Sequence, residues 1–162
     1  MNRFIRKDFL VTIPDGWKEW EEMGEEENVV WLKKPKLTIF NDYLPHMKDF
    51  LMEISVSNPT DDNVNLDFCI EDKKSSIGDN NIISEEFIDL KGVDGYRMES
   101  VKKSKQREQY FEEVYIVFLK NKLVFNTICS SFINSPQQST LYAIEDEIIS
   151  IASSIKPRRI SE

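Results

Sequence analysis

The sequence predicts an α+β fold with a central antiparallel sheet that is covered by helices on both faces. Segments of alternating hydrophobicity, which are typical of strands, recur along most of the chain. In residues 114–119 both alternating sets of side chains are apolar, so this strand needs cover on each side. A helical apolar stripe follows near the C-terminus. With only five glycines in 162 residues, no flexible linker is indicated, and we expect one domain over residues 1–162.

Composition and charge exclude several classes of function. The chain is 40% hydrophobic and long enough to bury a core without a disulfide or metal staple. Its formal charge of −8 disfavours nucleic acid as a partner, because binding phosphates needs a surplus of Lys and Arg on one face. The longest apolar run, residues 114–119, is too short to insert into a membrane. The start at Met1, with no apolar signal segment after it, favours a cytoplasmic location.

Short strands separated by polar turns are predicted for the first part of the chain. The strands comprise residues 9–13, 29–32 and 51–56. Pro14-Asp15-Gly16 forces a turn after the first strand, and we expect Trp17 to pack beneath that turn. Six glutamates fall within nine positions from Glu19 to Glu27 and repel one another. The segment 19–28 is therefore expected to be exposed and mobile.

Residues 61–77 fit either a helix or a strand. Alternate positions from 64 to 70 are apolar, as in a strand, whereas one helix face would carry Leu66, Cys69, Ile70, Lys73 and Ile77. We favour the helix because acidic residues lead the segment and Lys73-Lys74 close it, which matches the helix dipole. Asp61 or Asp62 is the expected cap.

A hairpin is predicted at the centre of the sheet. Residues 82–83 and 87–90 are strand-like, apolar residues alternate from Tyr96 through Met98 towards Val101, and a basic polar loop follows at 102–108. Residues 110–119 and 122–132 then pair around Lys120-Asn121, where Asn tolerates the backbone of a tight turn. Because this hairpin is apolar on both strand faces, we expect Val117→Asp to abolish folding.

The C-terminal helix has the strongest local signals. Ser135-Pro136-Gln137-Gln138 supplies a capping Ser, a Pro at the first helical position and a Gln at the third. Apolar residues then recur every three or four positions, at Leu141, Ile144, Ile148, Ile151 or Ala152, and Ile155. Pro157 ends the helix, because a proline pushes its predecessor out of the helical region.

Few residues suit catalysis or metal binding. His46 is the only histidine and has no second histidine at metal-ligand spacing. No glycine-rich phosphate loop is present. Cys69 and Cys129 have no redox or metal spacing and are interpreted as small buried side chains, although a disulfide between them stays open. We expect a non-enzyme without cofactor or metal.

Glu112 and Glu113 are the only carboxylates embedded in an apolar strand. Consecutive strand residues face opposite sides, so one of the two is expected to point towards the less exposed face. A catalytic acid–base role would need one carboxyl in an apolar setting. The favoured interpretation is a charge at the end of a half-covered strand.

Four segments carry a resemblance to a known group: FLVTIPDGW at residues 9–17, the Gly-containing step from Leu90 to Arg97, the hairpin at 110–132 and the helix end from Ile148 to Ile155. They resemble the PsbP-like group, which includes the Ran-release-factor type and bacterial families of the DcrB and secretion-effector chaperone kind. The resemblance implies a PsbP-like α/β/α sandwich and a non-enzymatic adaptor, since members mostly serve as binding or assembly subunits. No motif is specific enough to carry over a functional residue.

The resulting hypothesis is a non-enzymatic intracellular protein-binding adaptor or chaperone-like module. Its candidate partner-binding residues are Trp20, Glu21, Glu22, Glu25 and Glu26. The glutamates would steer a basic partner, and Trp20 would anchor it. A basic or apolar segment is the expected partner, whereas the oligomeric state stays open. Two alternatives remain: an inhibitor or immunity protein, and a small enzyme or ligand-binding protein with a site assembled from scattered residues.

Overall fold

The secondary structure is mostly antiparallel sheet with two helices. The computed structural model describes residues 1–24, 26–35, 49–57, 65–78, 81–103, 108–118, 120–121, 123–133, 141 and 144–158. Over these ranges the strands are β1 (Asn2–Ile5), β2 (Phe9–Ile13), β3 (Lys18–Glu19), β4 (Val29–Pro35), β5 (Asp49–Ser57), β6 (Ile82–Leu90), β7 (Val93–Lys103), β8 (Glu108–Phe118), β9 (Leu123–Ile133) and β10 (Lys156–Pro157). The α-helices are α1 (Leu66–Ile77) and α2 (Glu145–Ser153), and one 3₁₀ turn covers Glu21–Met23.

The strands form two sheets. The larger has seven strands in the order β3-β4-β5-β9-β8-β7-β6, and the smaller has the order β1-β2-β10. Neighbouring strands in both sheets are antiparallel. The hairpin β8–β9 lies in the middle of the larger sheet, with Phe118 opposite Leu123 next to its turn. The predicted central hairpin is confirmed.

Burial on β8 follows the predicted two-sided pattern. Val114 and Ile116 belong to the main core, which also contains the buried residues of β2 and of α2. Tyr115, between them, belongs to a second cluster with Ile70, Tyr96 and Met98. Val117 is half-buried, whereas Ile116 is 1% exposed. Of these two neighbours Ile116 is therefore the more sensitive to a charge, and the strongest effect is expected there rather than at Val117.

Helix α1 settles the ambiguity in favour of a helix over residues 66–77, the part of the segment that it covers. It begins at Leu66, and its cap is Asn65, whose side-chain oxygen accepts a hydrogen bond from the Phe68 N–H at 2.9 Å. Asn is a favoured capping residue because its short side chain reaches this otherwise unpaired N–H. The caps expected at Asp61 and Asp62 lie outside the described residues.

Helix α2 is described only over Glu145–Ser153, and the predicted capping box at 135–138 lies outside the described residues. The predicted apolar stripe is buried, since Ile148 and Ile151 are inaccessible. After the helix, Lys156–Pro157 forms β10 against β2 instead of extending the helix to residue 156. Ser154 supports this junction by accepting a hydrogen bond from the Thr12 N–H at 3.0 Å.

Candidate functional site

The acidic segment predicted to bind a partner follows β3, at one edge of the larger sheet. Glu21, Glu22 and Glu26 are exposed, as predicted for a solvated segment, and Glu25 lies outside the described residues. Trp20 is half-buried, and its indole N–H donates a hydrogen bond to Oε2 of Glu22 at 2.9 Å. The structure therefore brings Trp20 and Glu22 together, and the three described glutamates remain exposed to solvent. Trp17 is buried, as expected.

A second candidate surface, which sequence reasoning missed, carries two exposed phenylalanines. Phe68 in the first turn of α1 is 57% exposed, and Phe87 in β6 is 66% exposed. The edge of the Phe87 ring packs against Tyr96 with 5.2 Å between ring centroids. One sequence signal could have indicated Phe68: on a helix it falls outside the face that runs from Leu66 to Ile77. No sequence signal could have indicated Phe87, because apolar residues alternate in the same way in edge strands and in central strands.

A groove of about 690 Å³ lies beside Phe87. It runs between the first turn of α1 and the turns of the hairpins β6–β7 and β8–β9, and its apolar wall comprises Leu66, Phe87, Ile88, Val93, Val117 and Phe118. Asp67, Asp94 and Lys120 also line it. Its volume lies in the range of small-molecule sites, about 300–1,000 Å³. It is therefore large enough to take up an apolar side chain of a partner.

Glu112 is buried, which corrects the expectation of a charge at the end of a half-covered strand. It is 2% exposed, and its Oε1 accepts a hydrogen bond from Nη1 of Arg97 at 2.8 Å. Burial raises the pKa of Glu112 to about 7 from an ordinary 4.5; Arg97 opposes the rise, whereas Glu145 and Glu99 add to it. Its Oε2 has no hydrogen-bond partner among the described residues. The sequence could not show this, because Arg97 and Glu145 come from distant segments.

Glu113 is buried as well, although only one of the two carboxylates was expected to face the less exposed side. It is 1% exposed, and its Oε1 lies 3.1 Å from Nζ of Lys73 in α1. The Tyr115 hydroxyl donates to the same oxygen at 3.3 Å. Burial, and then Glu113, raise the pKa of Tyr115. Glu113 thus ties α1 to the central strand and is engaged in structural contacts.

The remaining candidate residues for chemistry do not assemble into a site in the part of the chain that the structure describes. No group of three or more His, Cys, Asp or Glu side chains could hold a metal ion there. His46 lies outside the described residues. Cys69 is half-buried, Cys129 is buried, and no disulfide joins them. Burial raises the pKa of the Cys69 thiol, which lowers its reactivity. No helix in these ranges is long and apolar enough to span a membrane.

Solved structures resemble this chain along almost its full length. The Saccharomyces cerevisiae Ran-binding protein Mog1p superposes with a TM-score of 0.56 at 10% identity, over 96% of this chain and 95% of its own. A Pseudomonas aeruginosa protein of unknown function gives a TM-score of 0.58 at 14% identity, over 93% and 92%. This chain has the Mog1-type, PsbP-like fold. The resemblance read from the strand, turn and helix motifs is confirmed at the level of the fold.

The Mog1-type fold also occurs as part of longer chains. A Bacteroides thetaiotaomicron protein matches with a TM-score of 0.55 at 10% identity, and this chain covers 46% of its length. No model of a known protein family and no curated protein matches the sequence. At these identities the similarity shows a fold that is shared, and activity has to be argued from the surface of this chain.

Proposed function

We propose that this chain is a non-enzymatic module that binds a partner protein at the end of the sheet where Phe68 and Phe87 are exposed. The observation that carries the proposal is the combination of these two rings with the neighbouring groove. Phe87 lines the groove directly, and Phe68 follows Leu66 and Asp67 of its wall. Large exposed apolar side chains beside a concave surface are typical of interaction sites, where a few buried aromatic anchors dominate the binding energy.

Charge and fold support this function. The formal charge of −8 favours a partner segment that is basic or apolar. Of the described charged residues that line the groove, two are acidic, Asp67 and Asp94, and one is basic, Lys120, so their summed charge is also negative. Yeast Mog1p, which shares the fold, is a Ran-binding protein, and this supports protein binding in the broad sense.

We also infer that the chain is one layered domain, with α1 covering one face of the larger sheet and α2 the other. Ile70 of α1 packs with Tyr115 of β8, whereas Ile148 of α2 belongs to the same core as Val114 and Ile116. Because alternate residues of a strand point to opposite faces, this division supports an α/β/α arrangement. The exposed phenylalanines would then lie on the α1 side of the sheet.

The test is a binding measurement on variants of the two rings. A partner is first isolated from extract of the source cells on the immobilised chain and then purified. The Phe68→Ala/Phe87→Ala double variant should weaken its binding at least about tenfold, since truncating an anchor residue costs more than about 1 kcal/mol. The control is Ile5→Ala/Met23→Ala, which removes two exposed apolar side chains elsewhere. Equal affinity of the parent and the phenylalanine variant would exclude this surface.

A further inference from the structure

The two edges of the larger sheet differ greatly in length. At one edge β3 has two residues, whereas at the other edge β6 has nine. A very short edge strand leaves little backbone for another chain to pair with, but a long one offers a row of N–H and C=O groups. Within the part of the chain that the structure describes, β6 pairs only with β7. With respect to the described residues, the outer side of β6 is therefore open for pairing.

The tight turn after β6 shows which backbone groups face outwards. Lys91 and Gly92 have φ values of 53° and 90°, which both belong to a two-residue type I′ hairpin turn. Leu90 and Val93 close that turn as a hydrogen-bonded pair. Hydrogen-bonded and non-bonded pairs alternate along an antiparallel ladder. Counting back along β6 from Leu90, Asp89, Phe87 and Glu85 fall in the non-bonded pairs. Their N–H and C=O groups therefore point away from β7.

The same three residues present one set of exposed side chains. Glu85, Phe87 and Asp89 are spaced by two, so they lie on one face of the strand, and each is exposed. Nζ of Lys74 lies 2.8 Å from Oε2 of Glu85, and the Tyr96 hydroxyl donates to that same oxygen. Along this face of β6 the side chains are therefore acidic, aromatic and acidic, and the groove lies beside the Phe87 ring.

We propose that β6 accepts an extended segment of a partner protein as an additional antiparallel strand, and that this segment carries the pattern basic–x–apolar–x–basic. The proposal rests on the proposed function and names the partner's chemistry. Lys or Arg opposite Glu85 and Asp89 would form cross-strand charge pairs, and the apolar residue would pack on Phe87 beside the groove. Backbone hydrogen bonds supply affinity in such strand addition, and alternate side chains supply specificity.

A second copy of this chain fits the edge poorly. If two β6 strands paired about Phe87, Glu85 of one copy would lie opposite Asp89 of the other, twice in each dimer. Like charges directly opposite each other destabilise a strand pair. The charges of β6 therefore favour a different, basic chain over self-association.

The experiment uses two synthetic peptides and the full ¹⁵N-labelled chain at low salt. The probe is the acetylated and amidated peptide with the sequence TKTVTKT, and the control peptide, TETVTET, replaces both lysines by glutamate. We expect the lysine peptide to shift the amide signals of Glu85, Phe87 and Asp89 saturably and to slow their hydrogen exchange. Its Kd should be at least about tenfold lower than that of the control peptide, because two attractive pairs become repulsive. No saturable shift at millimolar peptide, equal Kd values or protection elsewhere would overturn the proposal.

Two variants of one residue separate strand addition from partner binding in general. Asp89→Pro removes an outward N–H from an edge strand, where proline is tolerated, and Asp89→Asn keeps that N–H. We expect Asp89→Pro to bind the lysine peptide at least about tenfold more weakly than Asp89→Asn. If Asp89→Pro does not fold, the exchange data on the parent chain decide alone. If a partner no longer binds Phe68→Ala/Phe87→Ala but binds Asp89→Pro as tightly as it binds the parent, the proposed function stands. Strand addition at β6 is then overturned.

Discussion

Arg97 and Glu112 form a buried ion pair across the strands β7 and β8, with 2.8 Å between Nη1 and Oε1. The guanidinium also contacts Glu86 in β6 at 3.0 Å and Glu145, the first residue of α2, at 3.4 Å. One arginine thus connects three strands and a helix. Burial raises the pKa of the Glu112 carboxyl, and the single positive charge of Arg97 opposes that rise only in part.

The first prediction is that Glu112 makes the protein less stable as the pH rises. The pKa of Glu112 is about 7 in the folded chain and an ordinary 4.5 when unfolded, so between these values the folded state binds more protons. Its favourable contribution is therefore present below pH 4.5 and is lost as the pH rises through about 7. The loss is on the order of 3 kcal/mol in the free energy of unfolding.

Urea unfolding between pH 4 and 9, on the parent and on Glu112→Gln, measures this effect. Glutamine mimics the protonated carboxyl, so the difference in stability between variant and parent should shift in favour of the variant as the pH rises through about 7. A difference that is independent of pH would contradict a titrating Glu112.

The second prediction compares two neighbouring lysines. Lys73→Met should lower the free energy of unfolding by about 3 kcal/mol, because it leaves the carboxylate of Glu113 buried without its cation. Lys74→Met is the matched control: it breaks a pair with Glu85 that is about one-third exposed, and should cost less than about 1 kcal/mol. Urea unfolding of both variants at pH 7 gives the comparison. Equal losses would show that Glu113 does not depend on Lys73.

The third prediction concerns neighbours on β8. Ile116→Asp places a charge in the main core and should abolish the cooperative unfolding transition. Val117→Asp changes a half-buried residue that lines the groove, and should cost about 1–2 kcal/mol without loss of the fold. Circular dichroism melting curves distinguish the two. A folded Ile116→Asp variant would mean that the main core does not close over this strand.

The fourth prediction tests the acidic segment after β3. Replacing Glu21, Glu22, Glu25 and Glu26 by Gln should slow association with a basic partner several-fold at low salt and much less at 0.5 M salt, because long-range steering is screened. The dissociation rate should stay unchanged if these residues steer the partner without contacting it. Stopped-flow association kinetics at the two salt concentrations measure this. Identical rates in both would remove the segment from the binding process.

The sequence by itself determined the elements whose signals are local. Alternation identified the strands β2, β4 and β5 and the central hairpin, and the apolar stripe identified the buried face of α2. These patterns succeed because residues two, three or four positions apart share a face. The resemblance to the PsbP-like group added the fold, which the structural similarity to Mog1p confirms.

Only the tertiary structure decided what surrounds the charged and aromatic side chains. Glu112 and Glu113 are adjacent in sequence, yet Arg97 compensates one and Lys73 the other, from opposite sides of β8. Phe87 is 66% exposed on β6, although Leu90 of the same edge strand is buried, and no local pattern encodes this difference. The cost of burying a charge depends on partners that are brought together from distant segments, and exposure depends on which neighbours cover a strand. Both are properties of the folded chain as a whole.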